Sequence, residues 1–145
     1  MTDEPVIRIA GQADARRIGE LDREWTPILD RSGRFQRAAS KGRLLVAEVK
    51  GELVGYAAQG RFFGYDFLEL LAVRPDKRRQ GIATALIRAV EARSSSGKLF
   101  TSTNRSNTPM RQLCDRLGFQ RSGVVENLDN DDPELIYCKR LEVGP

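Results

Sequence analysis

Histidine is absent from this chain of 145 residues. Without an imidazole the protein cannot form a Ser-His-Asp or Cys-His catalytic group, or a zinc site with histidine ligands. Any proton transfer must therefore use a carboxylate, tyrosine, cysteine, lysine, chain terminus or water. Cysteine is also scarce, and Cys114 and Cys138 lie far apart without metal-ligand spacing. We therefore expect two buried thiols rather than a disulfide, and no bound metal.

Long apolar runs are missing as well. The chain has no stretch of about 18 consecutive apolar residues, and its first residues lack the apolar core of a secretory signal. Its composition, with 40% hydrophobic and 30% charged residues, is that of an ordinary soluble protein. We expect one domain over residues 1–145, located in the cytoplasm and without a membrane partner.

The net charge of +4 permits an anionic partner but does not require nucleic acid. Basic residues are scattered, and the densest cluster, at positions 77–79, lies within one turn. The positive charge is neither aligned along one helix nor interleaved with aromatic residues, as it is in many nucleic-acid-binding domains. We therefore expect no nucleic-acid partner.

The stretch from Leu68 to Leu86 predicts a strand, a basic turn and a helix. Its apolar first part, up to Val73, is long enough for a buried strand, and Pro75 ends that strand. From Ile82 onward the apolar residues follow the spacing of a helix with one buried face. The turn before this helix presents free backbone N–H groups at a helix N-terminus, beside arginines. This arrangement suits an anion such as a phosphate or pyrophosphate.

The N-terminal part predicts a short strand followed by helices. Val6 to Ala10 alternates like a strand, and Asp14 can cap the helix that follows. Thr26-Pro27 starts a second helical segment, which we expect Ser32-Gly33 to interrupt.

Two strand-like runs, Leu44 to Val49 and Leu53 to Phe62, flank Lys50-Gly51-Glu52, which suits a tight hairpin. The part after the central helix predicts a strand, a helix that starts near Asn107 and ends at Gly118, and a final strand pair. These last strands span Leu99 to Thr103, Phe119 to Val125 and Leu135 to Leu141. The predicted order is therefore β, α(α), β, β, β, α, β, α, β, β.

Two motifs on these elements match a known family. Arg78-Arg79-Gln80-Gly81-Ile82-Ala83 matches the pattern R/Q-x-x-G-x-G/A, and Val73-Arg74-Pro75 matches the Val-x-Pro that commonly precedes it. The second pattern, Asn-x-x-Ala-x-x-Leu-Tyr-x-x-x-Gly-Phe, appears as Asn107, Met110, Leu113, Cys114, Gly118 and Phe119. With these two motifs in this order on the predicted elements, the chain resembles the GNAT superfamily of acetyl-CoA-dependent N-acetyltransferases over nearly its whole length.

The resemblance implies a mixed α/β (α+β) fold. Its centre would be a mostly antiparallel sheet of about seven strands, flanked by about four helices. In the family, acetyl-CoA lies where the fourth and fifth strands splay apart. Here those strands would be Phe67 to Val73 and Leu99 to Thr103.

The resemblance also assigns residues to acetyl-CoA, the expected co-substrate. Backbone N–H groups would bind its pyrophosphate, at Arg78, Arg79, Gln80, Gly81, Ile82, Ala83 and Thr84. The backbone of Leu71, Ala72 and Val73 would pair with the pantetheine arm and polarise the thioester carbonyl. Asn107 would either lie near the pantetheine or only cap its helix.

Three residues are catalytic candidates. Glu69 lies within an apolar run, where it could accept the amine proton as a buried base, or face solvent, or pair with an arginine. Glu126, in the last hairpin loop, is the second candidate base. Cys114 stands where many relatives have a tyrosine that protonates the thiolate, and it could act as the acid or simply pack in the core. Tyr137 or water could replace it.

The acceptor side leaves more alternatives open. The acidic loop from Glu126 to Glu134 could attract a cationic amine or be a solvated hairpin tip. Phe62, Phe63 and Tyr65 could line the acceptor pocket or fill the core, and we expect Phe67 in the core. The expected activity is transfer of acetyl to a primary amine of a small molecule or protein. The alternative is a non-catalytic acyl-CoA-binding or regulatory module. Dimers are common among relatives, but the sequence does not decide whether this chain forms a homodimer.

Overall fold

Seven strands and four helices follow one another in the predicted order within residues 4–26 and 31–142, the part of the chain described by the computed structural model. The elements are β1 (Val6–Ile9), α1 (Gln12–Trp25), α2 (Ser32–Ser40), β2 (Leu44–Val49), β3 (Glu52–Phe62), β4 (Tyr65–Val73), α3 (Ile82–Arg93), β5 (Lys98–Asn104), α4 (Thr108–Arg116), β6 (Gln120–Val125) and β7 (Glu134–Arg140). A short 3₁₀ turn, Pro75–Lys77, separates β4 from α3. The mixed α/β fold expected from the sequence is confirmed.

The strands form one sheet in the order β1-β2-β3-β4-β5-β7-β6. All neighbouring pairs are antiparallel except β4 and β5, which are parallel and are joined through α3. A parallel pair needs such a crossover, because the chain must return to the end at which the first strand began. These two strands pair only from Asp66–Leu99 to Leu68–Thr101 and then separate. The expected splay between the fourth and fifth strands is therefore present.

The sheet buries a separate apolar cluster on each face. On one face, α3 and α4 pack against residues such as Leu68, Leu99 and Leu135. On the other face, α1 and α2 cover Tyr56 and Leu70. Because side chains alternate along a strand, β2, β3 and β4 each contribute residues to both clusters. The gap between β4 and β5 thus opens between two packed layers.

Two N-terminal expectations need correction. Asp14 is not the cap of α1, because Gly11 occupies that position and Asp14 lies in the first turn, where its carboxylate accepts a hydrogen bond from Gly11 N at 2.9 Å. Ser32 and Gly33 do not interrupt a helix but begin α2. The predicted helix start at Thr26-Pro27 falls partly on residues 27–30, which lie outside the described residues.

The hairpin predicted between β2 and β3 is present, with Lys50 and Gly51 between the two strands. None of the helices in the described ranges combines the length and the apolar character needed to span a membrane.

Candidate functional site

A cleft of about 600 Å³ opens where β4 and β5 separate. It is bordered by the start of α2, by both strands, by the start of α4 and by the loop between β6 and β7. Its lining includes Arg31, Arg34, residues 67–71, residues 101–104, Asn107, Met110, Asp129 and Glu134. Its size falls in the range of small-molecule sites, which is about 300–1,000 Å³.

Thr101 marks the point at which the two strands part. Its buried hydroxyl donates a hydrogen bond of 3.0 Å to the carbonyl of Leu68, the last paired residue of β4. Beyond Leu68, no described strand pairs with the β5 side of β4. The other side stays paired with β3 as far as Val73. Backbone groups on the open side can therefore bind a ligand in the manner of an added strand.

The three residues expected to contact the pantetheine arm lie on this open stretch of β4. Leu71 lines the cleft, Val73 is buried towards α3, and Ala72 packs on the opposite face. Their side chains thus point to both faces of the sheet, while their backbones share the unpaired edge. The placement agrees with a backbone role and does not require these side chains to touch the ligand.

The basic turn lies at the end of β4 and opens onto solvent. Residues 78–81 are exposed, and Arg78 Nε donates to the carbonyl of Val73 at 3.1 Å. The first hydrogen bond of α3 runs from Ala85 N to Gly81 O at 3.0 Å. The N–H groups of residues 82–84 precede it and have no partner within the helix, so they favour an anion at the helix N-terminus.

Gly81 fits this anion site for two reasons. Its φ of +84° is the left-handed region, which costs a residue with a side chain about 1–2 kcal/mol. A Cβ placed on it would meet nothing within 4 Å, so the space above the turn is open. Arg79, with φ +63°, also adopts the left-handed region and shapes the turn. The residues present therefore fit a pyrophosphate group.

Asn107 caps α4 and also lines the cleft. Its side chain accepts a hydrogen bond of 3.2 Å from Met110 N and so caps α4. The same residue lines the cleft. Its structural role therefore does not remove it from the candidate site.

Glu69 lies at an irregularity in the pairing of β3 and β4. Ala58 pairs with Leu70 and Gln59 with Leu68, which leaves Glu69 without an opposite residue. Such a bulge redirects a side chain. A Cβ at Gly60 would lie 2.6 Å from Glu69 Oε2, so a side chain there would displace the carboxylate from its present position.

The carboxylate of Glu69 lines the cleft but is not buried. Its side chain is 44% exposed, and Oε1 lies 3.9 Å from Nη1 of Arg34. The structure thus shows the pairing with an arginine that the sequence allowed as an alternative to burial. Glu69 remains able to meet an acceptor in the cleft.

Cys114 does not reach the cleft. It is 0% exposed within the α3–α4 core, and burial raises the pKa of its thiol to about 12, with a further contribution from the charge of Asp115. Tyr137 is buried in the same core and does not line the cleft. These positions support a packing role for both residues and do not support the acid role considered for either.

Glu126 lies outside the cleft. It borders a separate depression along the β6–β7 loop, together with Arg105 and Asp131. The structure therefore does not bring the second candidate base next to Glu69. In residues 4–26 and 31–142, no group of three or more Asp, Glu or Cys side chains could hold a metal ion.

The acidic loop contributes two of its carboxylates to the cleft. Asp129 Oδ2 accepts from Asn104 Nδ2 at 2.8 Å, and Glu134 Oε2 accepts from Ser102 Oγ at 2.7 Å. Asp132 instead binds Ser106, whose hydroxyl and backbone N–H lower the pKa of the carboxyl. The loop is thus partly a cleft wall and partly a fixed surface turn.

The aromatic residues lie beside the cleft. Phe67 is only half-buried and lines the cleft, so the expected core position is wrong. The ring of Phe62 lies 5.4 Å from that of Phe67 and 5.1 Å from that of Phe100. Phe63 is 88% exposed. These rings extend the apolar side of the cleft onto the surface.

A buried polar cluster beneath the cleft was not foreseen. Asp22 accepts hydrogen bonds from Arg31 Nη2 at 2.7 Å and Nε at 3.1 Å, and Tyr56 lies in the same cluster. Burial lowers the pKa of Arg31, but hydrogen bonding to Asp22 and the neighbouring charges leave it raised overall. For Tyr56 the effect of burial is the opposite, since burial is the main cause of its raised pKa. One sequence signal could have revealed the cluster, because Asp22 follows Ile18 by four residues and so shares its buried face.

Comparisons with known proteins place the chain among acetyltransferases. The family model described as Acetyltransferase (GNAT) domain matches residues 40–121. A mycothiol acetyltransferase from Parafrankia sp. (strain EAN1pec) is 37% identical over 116 residues, which cover 69% of this chain and 36% of that protein. The chain thus spans little more than a third of this curated relative.

Solved structures share the whole fold. A GNAT-family acetyltransferase from Bacillus cereus ATCC 10987 is 32% identical, with a TM-score of 0.89 over 96% of this chain and 99% of its own. Arabidopsis thaliana NAA60 in complex with acetyl-CoA is 20% identical, with a TM-score of 0.80 over 95% of this chain and 100% of its own. At that lower identity the likeness concerns the fold alone.

Proposed function

Because this chain belongs to the GNAT acetyltransferase family, we propose that it transfers the acetyl group of acetyl-CoA to the nitrogen of a primary amine. One observation carries the proposal. The unpaired edge of β4 leads directly into the exposed Gly81 turn, so a thioester site and an anion site follow each other along the chain.

Acetyl-CoA supplies a thioester whose carbonyl carbon an amine can attack. We assign its pyrophosphate to the backbone N–H groups and side chains of residues 78–84, where the N-terminus of α3 favours negative charge. Backbone groups of residues 71–73 would hold the arm and polarise the carbonyl. Asn107, at the far side of the cleft, would contact the same arm.

Glu69 is the residue that we propose as general base. An alkyl ammonium has a pKa of about 10.4, so it must lose a proton before the nitrogen can attack. The Glu69 carboxylate lies in the cleft and can accept that proton directly or through a water molecule. The C–N bond then forms as the C–S bond breaks. Glu126 is less suited to this role, since it borders a different depression.

No described tyrosine or cysteine lines the cleft to protonate the departing sulfur. We therefore propose that water in the open cleft gives the CoA thiolate its proton. A thiol of ordinary pKa, about 8.5, is a moderate acid, so its anion leaves without an obligatory acid catalyst. The cytoplasmic location and the single domain over residues 1–145 remain predictions.

The test is an acetyl-CoA turnover assay in which a thiol-reactive dye detects released CoA in the presence of a panel of primary amines. The proposal predicts amine-dependent CoA release and an acetylated product of the expected mass. The alternative, an acyl-CoA-binding module, predicts tight acetyl-CoA binding with no CoA release on any amine. That second outcome would overturn the assigned reaction.

A further inference from the structure

Two arginines line the cleft on the side of the sheet away from the anion site. Arg31 and Arg34 lie at the start of α2, which packs on the sheet face of Tyr56 and Leu70. The basic turn belongs to α3, which packs on the opposite face. Because the sheet separates them, these two cations do not serve the pyrophosphate of acetyl-CoA and face the other side of the cleft.

The guanidinium groups of Arg31 and Arg34 differ in the hydrogen bonds that they already make within the protein. Arg31 is bound by the buried Asp22 and Tyr56 through Nε and Nη2. Arg34 is 52% exposed, and its contact with Glu69, at 3.9 Å, is too long for a hydrogen bond. No described residue accepts a hydrogen bond from the Arg34 side chain. Its guanidinium can therefore bind an anion in the cleft.

Carboxylates of the loop between β6 and β7 also line the cleft. Asp129 and Glu134 each have one carboxylate oxygen bound within the protein, by Asn104 and Ser102, and no described group donates to the other oxygen. With Glu69, the cleft lining holds three carboxylates against two guanidinium groups. A ligand with one positive and one negative group would match both sets of charged side chains.

We propose that the acceptor is a primary amine that also carries a carboxylate group. Its carboxylate would bind the Arg34 guanidinium, with which a planar, bidentate pair can form. Its ammonium would face Asp129, Glu134 and Glu69, which places the nitrogen beside the proposed base. This inference rests on the proposed acetyl transfer, whose acceptor it specifies. Free amino acids and peptides with an acidic first residue both offer the required chemistry.

The test compares matched amines that differ only in the carboxylate. One arm uses β-alanine against β-alaninamide, and the other uses peptides that begin with Asp against peptides that begin with Asn. We expect kcat/KM to be at least about tenfold higher for the carboxylate member of the pair that fits, as one charge-assisted hydrogen bond would supply. The arm that shows the difference identifies the source of the carboxylate.

Variants of α2 show whether Arg34 causes this preference. Arg34→Ala should bring the ratio of carboxylate to amide close to one, and Arg34→Lys should retain part of it. Arg37→Ala is the matched control, because Arg37 is exposed on the same helix, carries the same charge and does not line the cleft. It should keep the wild-type ratio.

Equal rates for both members of every pair would overturn the inference, as would a preference that survives Arg34→Ala. Equilibrium binding of the same amines to the acetyl-CoA complex provides a readout that does not depend on turnover. Tighter binding of the carboxylate member, lost in Arg34→Ala, without any CoA release would support the inference and reject the proposed reaction. Equal binding of both members, together with acetylation of both, would reject the inference and support the proposed reaction.

Discussion

The hydroxyl of Tyr56 donates a hydrogen bond of 2.6 Å to Oδ1 of Asp22, and both side chains are buried beneath the cleft. Arg31 donates to the same carboxylate from the start of α2. The cluster joins α1, α2 and β3, so one buried charge pair holds the helical wall of the cleft against the sheet. A buried carboxylate is stable only while its partners remain, which makes this cluster sensitive to loss of any single member.

Tyr56→Phe should destabilise the protein by about 1–3 kcal/mol, because it removes one donor from a buried carboxylate and leaves the ring volume unchanged. Urea unfolding measures the free energy directly. Tyr65→Phe is the control, since Tyr65 is half-exposed, and it should change the stability by less than about 0.5 kcal/mol. Equal effects of the two substitutions would contradict the importance of the Tyr56–Asp22 bond.

Gly81→Glu should reduce acetyl-CoA affinity by about a hundredfold or more, because a carboxylate would occupy the anion site. Gly81→Ala is the matched control. It has the same left-handed φ and the same backbone cost of about 1–2 kcal/mol, but it adds no charge. Isothermal calorimetry with acetyl-CoA and thermal unfolding separate the two effects. Wild-type affinity in Gly81→Glu would exclude the turn as the pyrophosphate site.

Cys114→Ala should lower the free energy of unfolding by about 1 kcal/mol or more, because it leaves a cavity in the α3–α4 core. The pH dependence of turnover should stay that of the wild type, since the thiol lies away from the cleft. A shifted alkaline limb in the pH–rate profile would show instead that Cys114 takes part in proton transfer. Thiol labelling provides a further check, because native Cys114 should react only after unfolding.

Local patterns were enough to predict the element order and the basic turn before α3. Gly81 and the apolar spacing of α3 act over a few residues, so the chain itself contains the signal. The splay between β4 and β5 came from the family resemblance, and the limited pairing of Asp66 to Leu68 with β5 confirms it. Periodicity alone would not have located it, because strand pairing depends on residues that are distant in the sequence.

The cleft walls were harder to predict for the same reason. Arg31 lines the cleft while its guanidinium binds Asp22, nine positions earlier, and Tyr56. The sequence left Glu69 open to burial, to exposure or to an arginine partner, and a bulge directs it across Gly60 towards Arg34. Phe67 has the sequence environment of a core residue, and the gap beside β5 leaves it half-exposed. Each difference arises from tertiary contacts that override a local preference.

Asp14→Asn should destabilise the protein by about 1 kcal/mol at neutral pH. The side-chain hydrogen bond from Arg8 lowers the pKa of Asp14 from 3.8 to about 2, and the N–H of Gly11 contributes. A lowered folded-state pKa means that the stabilisation is present above pH 4 and is lost as the pH falls towards 2. Because Arg8 is partly exposed, solvent screening reduces the effect. Urea unfolding from pH 7 to pH 3 should show that the stability difference between the two proteins begins to shrink below pH 4, and a constant difference would contradict the assignment.

Glu69→Gln should lower kcat by about 10²–10⁴-fold if Glu69 accepts the amine proton, since this is the usual contribution of a general base. Acetyl-CoA affinity should not change. Glutamine is nearly the same size as glutamate, and the anion site lies at the far end of β4. Glu126→Gln is the matched control and should retain wild-type turnover, because Glu126 borders a separate depression.

Raising the pH increases the fraction of amine that is already deprotonated, so the reaction depends less on a general base. The deficit of Glu69→Gln should therefore shrink as the pH approaches the amine pKa of about 10.4. A deficit of constant size at every pH would indicate that Glu69 positions the acceptor instead, and an unchanged rate at neutral pH would remove it from the reaction.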